Sequence, residues 1–277
     1  LRSEGRIVVK RLAILKLGGE LIENEQRLRA IARAIKSAAK KSRLIIVHGG
    51  GREIDAALAQ VGIPKRQVDG LRVTDEETLN IVVSVLAGTI NTRFVSAINA
   101  AGGKAVGLTG ADAGVAPVEK AAPHKATSGE TVDLGMVGMP IKAPAPDVIE
   151  TLCKAGFVPV IACISASKNG KLFNVNADTL AGNLAARLQA KRLIIAGATP
   201  GVLDKKNQTI AKLDKERIEK LVKSGTANAG MVAKLYACQA ALKGGAKNVL
   251  IVDGRAPGRL VKAISGEKTS ATTKVVN

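Results

Sequence analysis

A chain of 277 residues is longer than one minimal domain and can bury a sizeable core, as one large domain or as two lobes. With 46% hydrophobic and 23% charged residues it is built to pack, which excludes a chain held open by its own charge. A formal charge of +19 raises polyanion binding, but the basic residues are spread along the chain and only three Phe and one Tyr are there to stack on bases, so no nucleic-acid site is expected.

Residues 12–17 read as a short buried strand ending at Gly18 and Gly19. Leu28, Ile31, Ala32 and Ile35 then recur on one helix face, with Arg27, Arg29 and Arg33 elsewhere. Residues 44–47 form a second apolar run before His48, Gly49, Gly50 and Gly51, and Ile54, Ala57, Leu58 and Val61 make a second helical stripe. Strand, glycine loop and helix thus occur twice, which demands an open, mostly parallel α/β sheet sandwiched between helices. The spacing predicts one long helix from Asp75 to about Ala101 with Thr74 as its N-cap, then a strand over 104–108. Between Gly110 and Pro146 the pattern fails, and turns with small antiparallel strands are expected, an insert of the kind that covers a substrate. A helix over 147–155, a strand over 158–164 and a hairpin turn at Lys168, Asn169 and Gly170 follow. The second half alternates again, with helices over 178–188, 214–223 and 231–243 and strands over 193–196 and 249–252. A lobe boundary is placed near Val175, dividing residues 1–175 from 176–277, with one sheet running through both.

Cys153, Cys163 and Cys238 are an odd, scattered set without metal-ligand spacing, and His48 and His124 are the only histidines. Zinc enzymes and Ser/His/Asp hydrolases therefore drop out. No run approaches the ~18 apolar residues of a membrane span, and no leader pattern opens the chain, so a soluble cytoplasmic protein is expected.

Two glycine loops at the carboxyl edge of a parallel sheet can bring backbone N–H groups and helix N-termini to an anion, and the first is preceded by Lys16. Each loop alone is also an ordinary tight turn. A Walker A loop is excluded because Gly51 is followed by Arg52 and Glu53, and neither loop has the dinucleotide fingerprint. Lys234, just after Gly230 at a helix start, opposes the macrodipole yet by itself reads as an exposed charge. Asp178 by itself reads as a helix cap.

Taken together and in order, these segments resemble the amino-acid kinase family, and within it the branch that phosphorylates N-acetyl-L-glutamate in arginine biosynthesis. Lys16–Leu17–Gly18–Gly19 is similar to the family's first phosphate loop and His48–Gly49–Gly50–Gly51 to its second. Gly70–Leu71–Arg72–Val73–Thr74 resembles the segment carrying the substrate arginine. Asn174–Val175–Asn176–Ala177–Asp178 resembles the Asn and Asp motif of the active centre, and Gly230–Met231–Val232–Ala233–Lys234 the second lysine motif. The chain departs from the family where an acidic residue usually follows the strand over 193–196, because Ala198 stands there, and its C-terminal Gly-Thr is replaced around Ala271 and Thr272.

The resemblance implies an enzyme that transfers the γ-phosphoryl of ATP to a side-chain carboxylate, giving an acyl phosphate. It implies Lys16 and Lys234 as charge stabilisers with Asp178 positioning them, and Gly50, Gly51, Arg72 and Asn174 on the amino-acid substrate. Gly18, Gly19, Gly201, Gly230 and Met231 are implied on the nucleotide, with Mg²⁺ held through the phosphates and not by protein ligands. The first lobe then binds the amino acid and makes a dimer contact, while the second binds ATP. A sister kinase acting on a carrier-linked aminoadipate, and an inactive effector- or RNA-binding member, are the alternatives. Arginine-inhibited members carry an added N-terminal helix that joins dimers into a ring. Residues 1–11, with Gly5 and the β-branched Ile7, Val8 and Val9, do not read as one, so a homodimer insensitive to L-arginine is expected.

Overall fold

The computed structural model describes residues 10–126, 128–227 and 229–277. The expectation about the N-terminal residues therefore falls, for residues 1–9, outside the described ones, as does Asn228 of the segment before Lys234.

β1 (Arg11–Leu17) buries Ala13, Ile14, Leu15 and Leu17 completely and passes through a 3₁₀ turn, Gly19–Leu21, into α1 (Glu25–Lys41). The Asn24 side chain caps α1 by accepting the Arg27 N–H, and Lys40 and Lys41 lie in its last turn, where the helix dipole favours cations. β2 (Ser42–His48) and α2 (Gly51–Gln60) repeat the unit. A small hairpin of β3 (Gln67–Val68) and β4 (Leu71–Arg72) follows.

The long helix of the second quarter is continuous over Glu76–Ala100 but not regular: α3 (Glu76–Val83) and α4 (Asn91–Ala100) are joined by a π-helical stretch, Ser84–Ile90. Its N-cap is Asp75, which accepts the Thr78 N–H, and not Thr74 as the sequence suggested. Thr74 is instead fully buried, with its hydroxyl donating to the Arg72 carbonyl. By length and composition this helix passes for a membrane span, yet Leu79, Val82, Leu86, Ile90, Phe94 and Ile98 form a buried inner face.

β5 (Ala105–Thr109) leads into the insert, where β6 (Val118–Lys120) pairs with β9 (Gly138–Pro140) and β7 (His124–Lys125) with β8 (Thr131–Val132), all antiparallel as expected. After α5 (Asp147–Lys154), the strand anticipated over 158–164 is two: β10 (Val158–Ala162) stays in the main sheet, and β11 (Ile164–Ala166) leaves it to pair with β12 (Leu172–Asn174). α6 (Ala177–Arg187), β13 (Arg192–Gly197), β14 (Lys212–Leu213), α7 (Lys215–Lys223), α8 (Ala229–Lys243) and β15 (Val249–Asp253) continue the alternation. α9 (Pro257–Ser265) and β16 (Thr272–Val275) close the chain, neither of them anticipated.

The main sheet has eight strands in the order β14-β16-β15-β13-β1-β2-β10-β5, parallel except where β16 runs against β15. β1 and β2 stand side by side near its centre, with β13 on the other side of β1. Their carboxyl ends open together, as the paired glycine loops required.

Candidate active site

Each glycine loop is held by the strand beside it. Gly18 N–H donates to the Ala196 carbonyl at 3.0 Å, and Gly49 N–H to the Leu17 carbonyl at 3.2 Å. The loops also touch one another: a Cβ on Gly19 would lie 2.7 Å from the α-carbon of Gly50. Gly50 in turn presses on Leu86 and Ile90, which the π-helical stretch delivers beneath it. Just before this second loop, His48 is wholly buried, and its Nε2 accepts from Asn91 at 3.0 Å, which leaves Nδ1–H facing the Gly49 carbonyl. Burial pushes its pKa down to about 4, so the ring is neutral.

α6 packs over β1 and against α8, closely enough that a Cβ on Gly182 would sit 3.0 Å from the Ala237 carbonyl oxygen. This packing brings three charges together. Lys234 Nζ donates to Asp178 Oδ2 at 3.0 Å, and Lys16 Nζ lies 2.9 Å from Oδ1. Each carboxylate oxygen of Asp178 thus faces one ammonium group. Burial alone raises a carboxyl pKa, but Lys16 and Lys234 outweigh it and hold Asp178 below the usual range. Burial likewise disfavours the Lys16 ammonium, and Asp178 overcomes it, leaving the Lys16 pKa raised. Lys234 goes the other way, lowered by burial and by Lys16 despite Asp178.

The structure corrects two readings here. Asp178 does not cap α6: Asn176 does, its side chain accepting the Asp178 and Thr179 N–H groups. Lys234 is neither in the first turn of its helix nor an exposed charge, because it lies one turn into α8 and is mostly buried.

Gly50, Gly51, Arg72 and Asn174 converge on a second part of the site, a cavity of ≈ 180 Å³. Arg72 is buried, and its Nη2 donates to Asp55 and, at 3.2 Å, to the Gly51 carbonyl, while Nη1 is buried and has no hydrogen-bond partner among the described residues. Asn174 Nδ2 donates to the Thr74 hydroxyl at 3.2 Å. Asp55 was missed in the sequence; the signal for it was a buried arginine that needs a carboxylate. The insert reaches this hairpin through His124 Nε2, 2.8 Å from Asp69 in the β3–β4 turn.

Of the residues expected on the nucleotide, Gly18 and Gly19 lie in the β1 loop beside Lys16, and Gly230 and Met231 open α8. Gly201, with φ +79°, closes the loop after β13 against Thr273 of β16. A cavity of ≈ 400 Å³ between that loop and α7, lined by Lys205, Ile210, Leu213, Arg217, Lys220 and Leu221 among others, includes none of these five. A larger hollow of ≈ 550 Å³ lies away from the glycine loops, between α4 and the edge strand β5. Among the described residues no three His, Cys, Asp or Glu side chains are placed to hold a metal ion. Cys163 and Cys153 are buried thiols with pKa values pushed up by burial to about 12 and about 11.

A mostly parallel sheet with two abutting glycine loops, and a carboxylate paired with two lysines at its carboxyl edge, define an α/β protein with its positive charge gathered at the edge where such folds bind ligands. The chain belongs to the amino acid kinase family, whose sequence model matches residues 11–253. It is 42% identical over 237 residues to the acetylglutamate kinase of Novosphingobium aromaticivorans, covering 82% of this chain and 78% of that one. It is 44% identical over 213 residues to the acetylglutamate kinase of an Azoarcus species, covering 76% and 71%. Among solved structures it is similar to the N-acetylglutamate synthase of Neisseria gonorrhoeae in complex with coenzyme A and N-acetyl-glutamate. The TM-score is 0.81 at 23% identity, over 96% of this chain and 59% of that one, a likeness of fold.

Proposed function

We propose that this chain transfers the γ-phosphoryl group of ATP to the side-chain carboxylate of N-acetyl-L-glutamate, forming an acyl phosphate for arginine biosynthesis. The observation that carries the reading is the Lys16–Asp178–Lys234 constellation beside the glycine loops. The acceptor is a carboxylate, already ionised at neutral pH, so no general base is required. What the reaction needs is positive charge fixed where negative charge gathers, in a site that excludes water. Two lysines supply it, and one shared carboxylate aims both ammonium groups and favours their charged forms, prevailing over burial at Lys16 but not at Lys234. Arg72 fits the other end of the amino acid, since its unpartnered Nη1 can complete a fork to the α-carboxylate. Asn174 and Gly51, the first residue of α2, line the same cavity. Gly18 and Gly19 suit the nucleotide phosphates, with Gly201, Gly230 and Met231 further along the nucleotide. Mg²⁺ would be carried on those phosphates, adding charge neutralisation. Residues 1–175 would then form the amino-acid lobe and 176–277 the nucleotide lobe.

The names of the relatives speak for the free amino acid over the carrier-linked aminoadipate, and the presence of both lysines speaks against an inactive member. A cytoplasmic homodimer is part of the proposal, closed through the unpaired side of β5 and the adjacent face of α4. Incubation with Mg·ATP, N-acetyl-L-glutamate and hydroxylamine tests the reading: an acyl phosphate is trapped as a hydroxamate in step with ADP release. ADP release without hydroxamate, or no dependence on the amino acid, would overturn it.

A further inference from the structure

Glu20 follows the first glycine loop and has no part in the scheme above. Its side chain folds back over that loop. The carboxylate fills the space beside Gly18 that a Cβ there would take, so a side chain at Gly18 would have to push it aside. It reaches across to the loop after β13, where Oε1 accepts the Ala198 N–H at 3.3 Å, close to Gly197. Among the described residues no ion pair holds it, although its charge adds to the field on the Lys16 ammonium. Glu20 is half-buried. A negative charge thus spans the two loops at the place where a phosphate group would seek N–H donors.

We propose that Glu20 makes the site select the metal-bound form of its nucleotide. The inference rests on the phosphoryl-transfer reading of this site. The carboxylate now engages the Ala198 N–H, and an incoming phosphate must displace it to reach that donor. Once displaced, a flexible glutamate anchored one residue past the loop stays close to the phosphates. Metal-free nucleotide then meets uncompensated like charge in a poorly screened setting. Nucleotide carrying a divalent cation offers the carboxylate a hard oxygen-seeking partner instead.

Titration calorimetry of ADP into the full chain, once in EDTA and once in excess MgCl₂, tests this without reliance on turnover. Glu20→Gln keeps the shape and the acceptor for Ala198 while removing the charge. It is expected to tighten metal-free ADP by about tenfold, and to leave Mg·ADP unchanged or weaker, so that the preference for the metal-bound form falls. Glu20→Ala should shift the ratio in the same direction and serves if the glutamine variant folds poorly. Equal effects on the two forms, or none, would reduce Glu20 to a loop tether and overturn the proposal. Failure of the unsubstituted chain to bind either form would instead remove the nucleotide reading itself.

Discussion

Asp178 is shared by two lysines that respond to it in opposite directions, which separates their tasks. Lys16, on a central strand, is favoured in its charged form by the carboxylate; Lys234, on α8, is nearer to losing its proton because burial and Lys16 outweigh Asp178. Both ammonium groups must be in place when charge builds on the transferring oxygens. Lys16→Ala and Lys234→Ala are each expected to lower kcat by about 10²-fold or more with an unchanged far-UV spectrum. Wild-type turnover in both would remove the phosphoryl-transfer assignment. Arg72 differs in kind, because one arm of its fork is tied to Asp55 and Gly51 and the other is unpartnered. Lysine keeps the charge but has no second arm. Arg72→Lys should therefore raise KM for the amino acid by about tenfold while leaving KM for ATP nearly constant, which steady-state kinetics with each substrate varied can read. An equal rise in both would move Arg72 out of the amino-acid pocket.

Among the elements, the two glycine loops act as one unit because they abut through backbone. A Cβ on Gly19 would meet the Gly50 α-carbon at 2.7 Å, and backbone cannot rotate aside as a side chain can. Gly19→Ala is expected to part the loops and lower kcat by about tenfold or more with the fold retained, because reacting groups misplaced by a fraction of an ångström lose their alignment. Gly88→Ala is the comparison, since a Cβ there meets nothing within 4 Å; it should leave activity and melting temperature near those of the parent. A matching loss of activity in both would show a general helix or loop sensitivity and not the loop contact. The loops were legible in the sequence because glycines after apolar runs announce βα turns, and the strands were legible because Leu-Ile-Ile-Val can only be buried. Other features were not. Thr74 and Asp75 are both good caps, and only the tertiary position of Thr74, buried beside Asn174, leaves the task to Asp75. The π-helical stretch has no periodicity of its own, since it shifts a single turn within an apolar run. β16 is four residues long and pairs antiparallel in a parallel frame, so no pattern of alternation pointed to it. The site's acidic partners, Asp55 and Glu20, were invisible for another reason: each reaches its partner through space, across loops whose approach is set by the sheet.

At the scale of the whole molecule, burial of His48 links stability to pH. The ring sits under the second glycine loop, neutral, with Asn91 on one nitrogen and the Gly49 carbonyl by the other. Phe94 packs edge-on at 6.2 Å, and Arg93 adds a nearby positive charge that further disfavours protonation. The unfolded chain takes up a proton at His48 near 6.5, the ordinary value for a solvated imidazole, whereas the folded chain refuses it until about 4. The unfolded state therefore binds more protons between those values, and stability falls as pH drops through that window. A chain of formal charge +19 has further reason to loosen in acid, because every proton gained adds to its self-repulsion. Removing the ring separates the two contributions. Urea unfolding at pH 7.5 and 5.5 should show a loss in the parent that exceeds the loss in His48→Gln by about 1.4 kcal/mol, the cost of protonating one unfolded histidine whose folded form stays neutral. The glutamine variant is expected to be less stable at pH 7.5, since its amide replaces a ring packed on Phe94, so the diagnostic is the difference between the two pH values and not either midpoint. Parallel losses in both proteins would place the acid sensitivity in the surface charge alone and take His48 out of it.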